Sequence, residues 1–356
     1  MKRPRRQRVS GGPAVVTIRE VAARAGVSTA TVSRVLGGLN GAGRDVRARV
    51  RAAARALAYE PNRLARGLRA RHRKVVGVVI PDLQNPFFTG VVHGVEAVLC
   101  AAGYTLLLGN SDGLAERERV HFGVLRGEGA AGLILIPGNA PDADYAALRS
   151  GEVPVVAVDR SPRGVAVDLV TADHRAGARG AVAHLVALGH RGIALINGPR
   201  SFDVSRARAA GYREALAAAG CWAGADLVVH GDFTQAGGGV AMLRLLALAR
   251  PPAAVLIANN LMTLGALRVI HERGIRIPDE LAVVGFDDLP WAMSLRPSLT
   301  AVAQPAEELG RTAAQLLLER LADPGRQVRR VTLPTRLMVR ASCGAPAPAH
   351  SNVHRP

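Results

Sequence analysis

From Val75 onward the sequence repeats one unit: a short apolar run, a helix-length segment, then another apolar run. The runs read "VVGVVIP", "YTLLLGN", "AGLILIPG", "VPVVAVD" and "VDLVTAD". After "TADHRAG" they continue as "GIALINGP", "ADLVVHG", "AAVLIAN" and "LAVVGFD". Strands separated by helical crossovers run parallel, and a parallel sheet needs helices on both faces. The pattern therefore predicts a doubly wound α/β architecture. About nine such strands, followed by "TAVAQP" and a helix over 306–322, exceed one comfortable open sheet, so two lobes are expected, dividing near residues 171–177.

In open α/β sheets ligands sit beyond the carboxyl ends of the strands, and two lobes can bring those ends face to face across a cleft. The polar residues that close the runs are the candidates: Asp82 and Asn85, Asp159, Asn259 and Asn260, Asp287 and Asp288.

The first 74 residues have another character. They hold 19 Lys and Arg against 3 Asp and Glu, which is +16 of the chain's net +18. So concentrated a charge requires an anionic partner, nucleic acid or an acidic membrane surface, whereas a charge serving solubility would be spread out. The basic start "MKRPRRQR" leads into "VSGGPAVVTIRE", which lacks the apolar core of a secretion signal. No run reaches the ~18 apolar residues of a membrane span. Cys100, Cys221 and Cys343 are far apart and fit neither a zinc spacing nor a disulfide framework. A soluble cytoplasmic protein with no membrane partner is expected.

"TIREVAARAGVSTATVSRVL", residues 17–36, reads as helix, tight turn, helix. Thr17 and Glu20 have the capping-box spacing, and Ile18, Val21, Ala22 and Ala25 share one helical face. Gly26 suits the left-handed end of that helix, and Ser28 the cap of a second whose apolar stripe is Val32, Val35 and Leu36. Thr29, Ala30, Ser33 and Arg34 are left facing outward. They are small enough for the backbone to enter a major groove, with one guanidinium to meet guanine or phosphate. A third helix through Val46, Val50, Ala53 and Leu57 closes a minimal core. The same spacing also fits an ordinary helical hairpin.

These residues, then "YEPNRLARGLR" and "VVGVVIPDLQNPFF", resemble the helix-turn-helix, hinge and first effector-domain strand of the lactose-repressor (LacI/GalR) family of bacterial transcription regulators. The likeness continues through "LGHRGIALINGP", "RAAGYREAL", "IPDELAVVGFDD" and "AVAQPAEELG", covering roughly residues 17–342. The resemblance implies a helix-turn-helix head joined to a two-lobed α/β domain like that of periplasmic binding proteins. The expected division is a disordered basic start (1–16), head (17–60), hinge helix (61–74), effector and dimerisation domain (75–342) and disordered tail (343–356).

By the same resemblance Thr29 and Ala30 select the operator, Arg34 touches a base, and Thr31 and Ser33 hold the DNA backbone. Asn62 caps a hinge helix that Arg63 flanks, and Leu68, with Ala65 one turn back, wedges into the minor groove. The chain departs from the family at Gly37, Ala42, Gly43 and Val46, which leaves the third helix without a serine cap. It departs again at Gly67, where a serine is usual, and this glycine loosens the hinge. For the effector the resemblance implies Asn85, Phe87, Asp159, Arg208, Phe233, Asn259 and Asp287. Asp159 fits a turn cap equally well, Phe87 and Phe233 also fit core packing, and Asn260 replaces the usual Asp.

"GEGAAG", residues 127–132, has dinucleotide-loop spacing but follows a helix and precedes a strand, the reverse of the order a phosphate loop needs. His184 and His190, six apart, have no neighbouring Cys or carboxylate to complete a metal set. No nucleophile motif stands out. With the resemblance, the expectation is a homodimeric repressor of a pseudopalindromic operator on double-stranded DNA, controlled by a small-molecule effector, a sugar or related metabolite with purine-like compounds left open, and without cofactor or enzymatic activity. The competing readings are a sugar-binding module without specific DNA reading and a sugar-modifying enzyme.

Overall fold

A computed structural model describes residues 16–36, 43–57, 59, 74–138, 145, 153–221 and 224–344. The expected hinge, with Asn62, Arg63, Ala65, Gly67 and Leu68, lies outside the described residues, as do loop residues 37–42 and the tail after Gly344. The chain divides into two compact units, residues 1–73 and 74–356.

In the small unit α1 (Ile18–Ala25) begins where the Thr17 N–H and hydroxyl both donate to Glu20 Oε2, at 2.6 and 3.0 Å. The backbone bond first, then the hydroxyl bond, holds the Glu20 carboxyl below its ordinary pKa. Gly26 ends the helix at φ 63°, and Ser28 Oγ accepts from Thr31 N at 3.2 Å at the start of α2 (Thr29–Leu36). The third helix, α3 (Arg44–Ala56), starts from Gly43 without a side-chain cap. Val21, Ala22, Ala25, Val32, Val35, Val50, Ala53 and Ala54 make the core. Arg49 Nη2 donates to Ala25 O at 2.9 Å and so ties α3 to the end of α1.

In the large unit the first lobe is laid down as β1 (Val75–Ile80), α4 (Pro86–Ala101), β2 (Thr105–Asn110), α5 (Ala115–Gly127), β3 (Gly132–Leu135), β4 (Val155–Val158) and β5 (Asp168–Ala172). The second follows as α6 (His174–Ala187), β6 (Ile193–Asn197), α7 (Asp203–Ala218), β7 (Val228–His230), α8 (Gln235–Leu246), β8 (Ala254–Ile257), α9 (Asn260–Glu272), β9 (Ala282–Phe286) and β10 (Thr300–Ala303). Then come α10 (Ala306–Ala322), β11 (Arg330–Leu333) and β12 (Arg336–Met338). The sheets are ordered β11-β5-β4-β3-β1-β2 and β12-β10-β9-β8-β6-β7, and of these pairings only β10 with β12 is antiparallel. The central strands β3, β4, β6, β8 and β9 are buried along their whole length, which is why they read as unbroken apolar runs. "GEGAAG" is a helix-to-strand turn, with Gly129 at φ 64°.

The expected division near residues 171–177 is the first of three crossings. The chain returns to the first lobe after β10, where α10 packs on α4 and on β3, β4 and β5, and crosses once more between β11 and β12. Neither of these last strands was expected. Both are short and arginine-bearing, with alternate residues exposed, so they lack the apolar run that marks a central strand. Close helix pairs brace the lobes. A Cβ on Gly94 would strike Glu307 O, one on Gly310 would strike Val91 O, and one on Gly265 would strike Gln235 O.

The return of β11 is pinned electrostatically. The fully buried Asp168 carboxylate, at the start of β5, accepts from Arg320 Nε (3.0 Å) and Nη2 (3.1 Å) and from Arg326 Nη1 (3.1 Å) and Nη2 (2.8 Å). It also accepts from Arg329 N (2.8 Å).

Candidate effector cleft and DNA-reading helix

Each sheet reverses its winding once, between β1 and β3 in the first lobe and between β6 and β8 in the second, and the crevice beyond the strand ends opens at such points. The two crevices meet in one cleft holding a cavity of about 400 Å³. Asn85, Phe87, Asp159, Arg208, Phe233, Asn259 and Asp287 all line it, although five of them come from five different connections after strands and two, Phe87 and Arg208, from two different helices. The described non-glycine residues with left-handed φ are Asp112 (50°), Asp159 (65°), Phe233 (68°) and Asp287 (72°), and all four line the same cavity. Backbone strain of this kind costs of order 1–3 kcal/mol per residue and persists where the surrounding structure enforces a required geometry. For Phe233 the enforcement is visible: Gly198 lies under its ring, where any Cβ would collide with Cζ.

Arg208 forms the floor. Its Nη1 donates to Ala258 O at 2.5 Å, its Nη2 donates to His174 Nδ1 at 3.1 Å, and its guanidinium lies 4.2 Å over the Phe286 ring. Arginine only donates, so His174 Nδ1 carries no proton. Burial and then the Arg208 cation hold His174 below its usual pKa, which makes it neutral with Nε2–H facing Asp159 Oδ1 at 3.1 Å. That contact is not aligned as a hydrogen bond. Burial pushes the Asp159 carboxyl up, but His174, Arg160 and Arg208 outweigh it and leave Asp159 below the ordinary carboxylate range. Asp287 goes the other way. Burial raises it and wins over Arg208, the Gln304 amide 2.5 Å away and Asn260 N.

Asn259 caps α9 by accepting from Met262 N at 2.9 Å and donates to Phe233 O at 3.1 Å, so its amide holds the Phe233 loop. Asn260 bonds instead across the lobes, its Nδ2 donating to Asn85 Oδ1 at 2.8 Å, a bond an aspartate at 260 could not donate. Asp82 lines the cavity. Asp288 does not; Arg340 clamps it with bonds of 2.7 and 2.8 Å.

Arg160, Gln304 and Phe202 are among the lining residues that the sequence does not single out. Arg160, 8% exposed, stands within 4.4 Å of the Phe202 ring, 5.2 Å of Phe233 and 5.8 Å of Phe88. Gln304 closes the strand run "TAVAQP" and so carries the same strand-end signal as the other candidates. Phe202 had no such signal. Buried polar atoms without a hydrogen-bond partner on residues lining the cavity include Gln304 Oε1, an acceptor, and Arg160 Nε and Arg208 Nε, both donors, although Arg160 Nε faces Asp159 Oδ2 at 3.5 Å in an ion pair. Free donors and acceptors interleaved with aromatic faces suit a ligand rich in hydroxyl groups, which both give and take hydrogen bonds.

On the head, Thr29, Ala30 and Arg34 of α2 are exposed, while Thr31 and Ser33 are half-buried. The Thr31 hydroxyl lies 2.9 Å from that of Ser28. His184 and His190 both meet Cys343, without completing a metal set. His184 Nε2 is 3.3 Å from Cys343 Sγ and His190 Nε2 is 3.2 Å from Cys343 O, a meeting across some 150 residues that sequence proximity does not show. Among the described residues no group of three metal-binding side chains gathers, and no helix is long and apolar enough to cross a membrane.

The family described as "Bacterial regulatory proteins, lacI family" matches residues 17–62, and "Periplasmic binding protein-like domain" matches residues 182–343. The HTH-type transcriptional regulator CelR of Thermobifida fusca is 39% identical, the alignment covering 92% of this chain and 98% of that protein. A solved transcriptional regulator CelR–cellobiose complex superposes with a TM-score of 0.71 at 38% identity, over 92% of this chain and 99% of that one. The lac repressor dimer bound to operator and the anti-inducer ONPF gives 0.81 at 30% identity, over 93% of this chain and the whole of the other.

Proposed function

The chain belongs to the lacI family of bacterial regulatory proteins, and we propose that it is a repressor whose grip on its operator is set by a sugar bound in the cleft. Members of this family are DNA-binding transcription regulators rather than enzymes. The observation that carries the sugar reading is the set of unspent donors and acceptors at Gln304, Arg160 and Arg208 beside Phe87, Phe202 and Phe233. The relative solved with cellobiose supports the same class of ligand. Asn85, Asp159, Arg208 and Asp287 would meet hydroxyls, and Phe87 and Phe233 would border the ring. Three chain crossings between the lobes act as the hinge whose closure the effector biases. The protein acts in the cytoplasm, where its operator is.

On the head, Thr29 and Ala30 meet base edges, Arg34 reads a base, Thr31 and Ser33 meet phosphates, and Asn62, Arg63, Ala65 and Leu68 serve the hinge. Selection from a random duplex library is expected to enrich a pseudopalindromic site. Arg34→Ala should lose about 1–3 kcal/mol at one base pair per half-site, relaxing the preference there. A loss uniform across all sequences would move Arg34 to a phosphate contact.

A homodimer follows from the apolar side of both lobes. Leu107 and Leu108 on edge strand β2, Val120 and Val124 on α5, and Val240 and Leu243 on the equivalent helix α8 are exposed. An open edge strand beside apolar helix faces is poorly suited to water. Leu108→Arg with Val124→Arg should convert a sedimenting dimer to monomer at micromolar concentration. A parent protein that is already monomeric would refute this assignment.

A further inference from the structure

The cleft continues past Arg160. A second cavity of about 470 Å³ shares Gly138, Arg160 and Phe202 with the first. The first lobe supplies Arg160 and Arg163 to it, and the second supplies Ser201, Phe202 and Arg206. Arg163 Nη2 donates to Ser201 O at 2.5 Å and Arg206 Nη1 donates to the same oxygen at 2.8 Å. Two guanidiniums from opposite lobes thus converge on one neutral carbonyl. Arg206 donates further to Arg200 O at 3.2 Å, and among the described residues neither Arg163 nor Arg206 pairs with a carboxylate.

The carboxylate in the wall, Asp203, is occupied on both oxygens by backbone donors, Val204 N at 3.0 Å and Ser161 N at 3.1 Å. At the boundary between the cavities Arg160 is more than nine-tenths buried, and its Nε has no hydrogen-bond partner. The nearest acidic oxygen, Asp159 Oδ2, is 3.5 Å away.

Like charges brought together by closure oppose it, and an anion seated between them turns the repulsion into a clamp. A planar carboxylate offers two oxygens, enough for one guanidinium fork. Three guanidiniums call for three oxygens and more than one negative charge.

We propose that this second cavity is a subsite for a phosphoryl group carried by the effector, with Arg163 and Arg206 gripping it from opposite lobes and Arg160 at its inner edge. The proposal rests on the sugar-effector reading and specifies it: the effector is a sugar phosphate, its ring beside Arg208 and Asp287 and its phosphoryl group beyond Arg160. A phosphorylated ligand then favours the closed lobes more than its neutral parent does.

The test uses the full-length chain in calorimetric titrations with glucose against glucose 6-phosphate and cellobiose against cellobiose 6′-phosphate, and the Arg163→Gln/Arg206→Gln variant beside the parent. In at least one pair the phosphorylated member should bind about tenfold or more tightly than the neutral one. That advantage should fall below about twofold in the variant, whose circular-dichroism melt shows it folded. Neutral sugars binding as tightly as their phosphates, or an advantage that survives the double substitution, would overturn the proposal.

Inorganic phosphate, compared with chloride at matched ionic strength, supplies a second arm. It should raise the thermal midpoint of the parent more than that of the variant, the basic head being identical in both. Equal shifts overturn the subsite. If no sugar of either pair binds while phosphate separates the two proteins, the sugar reading fails and the anion site stands.

Discussion

Arg208→Ala is expected to weaken binding of the effector, identified by its effect on operator binding in a screen of mono- and disaccharides and their phosphates, by about two orders of magnitude or more. Arg208 is central because it does several things at once. It fixes the neutral tautomer of His174, covers the Phe286 ring, and supplies the cation that Asp159 and Asp287 share. Without it two buried carboxyls face each other across the cleft, and both of their pKa values rise.

The stability cost should therefore depend on pH. Asp287 already has a folded pKa above its unfolded one, so ionising it destabilises the fold as pH rises through that folded value. Asp159 behaves oppositely in the parent: its folded pKa is depressed, so its contribution is present above its unfolded pKa and lost as pH falls through the folded one. Loss of the cation moves Asp159 toward the behaviour of Asp287. The variant's deficit, about 3–5 kcal/mol at pH 7.5 by analogy with broken buried ion pairs, should shrink at pH 5. Urea denaturation of both proteins at the two pH values checks this, and a pH-independent deficit would mean that lost packing, not charge, dominates. Arg208→Lys keeps a cation but not the fork, and should recover stability more than sugar affinity.

The second large effect is expected far from the cleft. Asp168→Asn leaves Arg320 and Arg326 buried without their shared counter-charge, which should cost about 3–5 kcal/mol and show as a lower urea midpoint. Because these bonds hold β11 at the edge of the first sheet, between two of the three crossings, the variant should also respond to effector with altered cooperativity. A midpoint within experimental error of the parent would show that the arginines find water as readily as they find Asp168.

Much of the site was legible before the fold. Asp287 and Asp159 stand at strand ends, which the winding rule alone sends to a cleft, while Arg208, within helix α7, is picked out only by the resemblance. Asn259 was legible as a residue but not in its role, because a cap and a ligand contact ask for the same amide. The sequence shows Asn260 only as a replacement for the usual Asp, whereas in the fold its amide proton bridges to Asn85, 175 positions away. Arg160 was passed over because nothing in "VDRSP" tells that three aromatic rings from three other segments will surround it.

By itself, the sequence determined the elements: the capped head helices, ten of the twelve strands and the two-lobed winding. Caps and amphipathic periods depend on residues within a turn or two of one another, and that information is local. Tertiary structure alone decided that α10 and β11 return to the first lobe, that Asp168 gathers two arginines, and that Arg163 and Arg206 meet at one carbonyl oxygen. Apart from the Arg206 bond to Ser201, those outcomes are contacts between residues some 40 to 220 positions apart, and their energies come from burial and charge pairing that exist only once the distant segments have met.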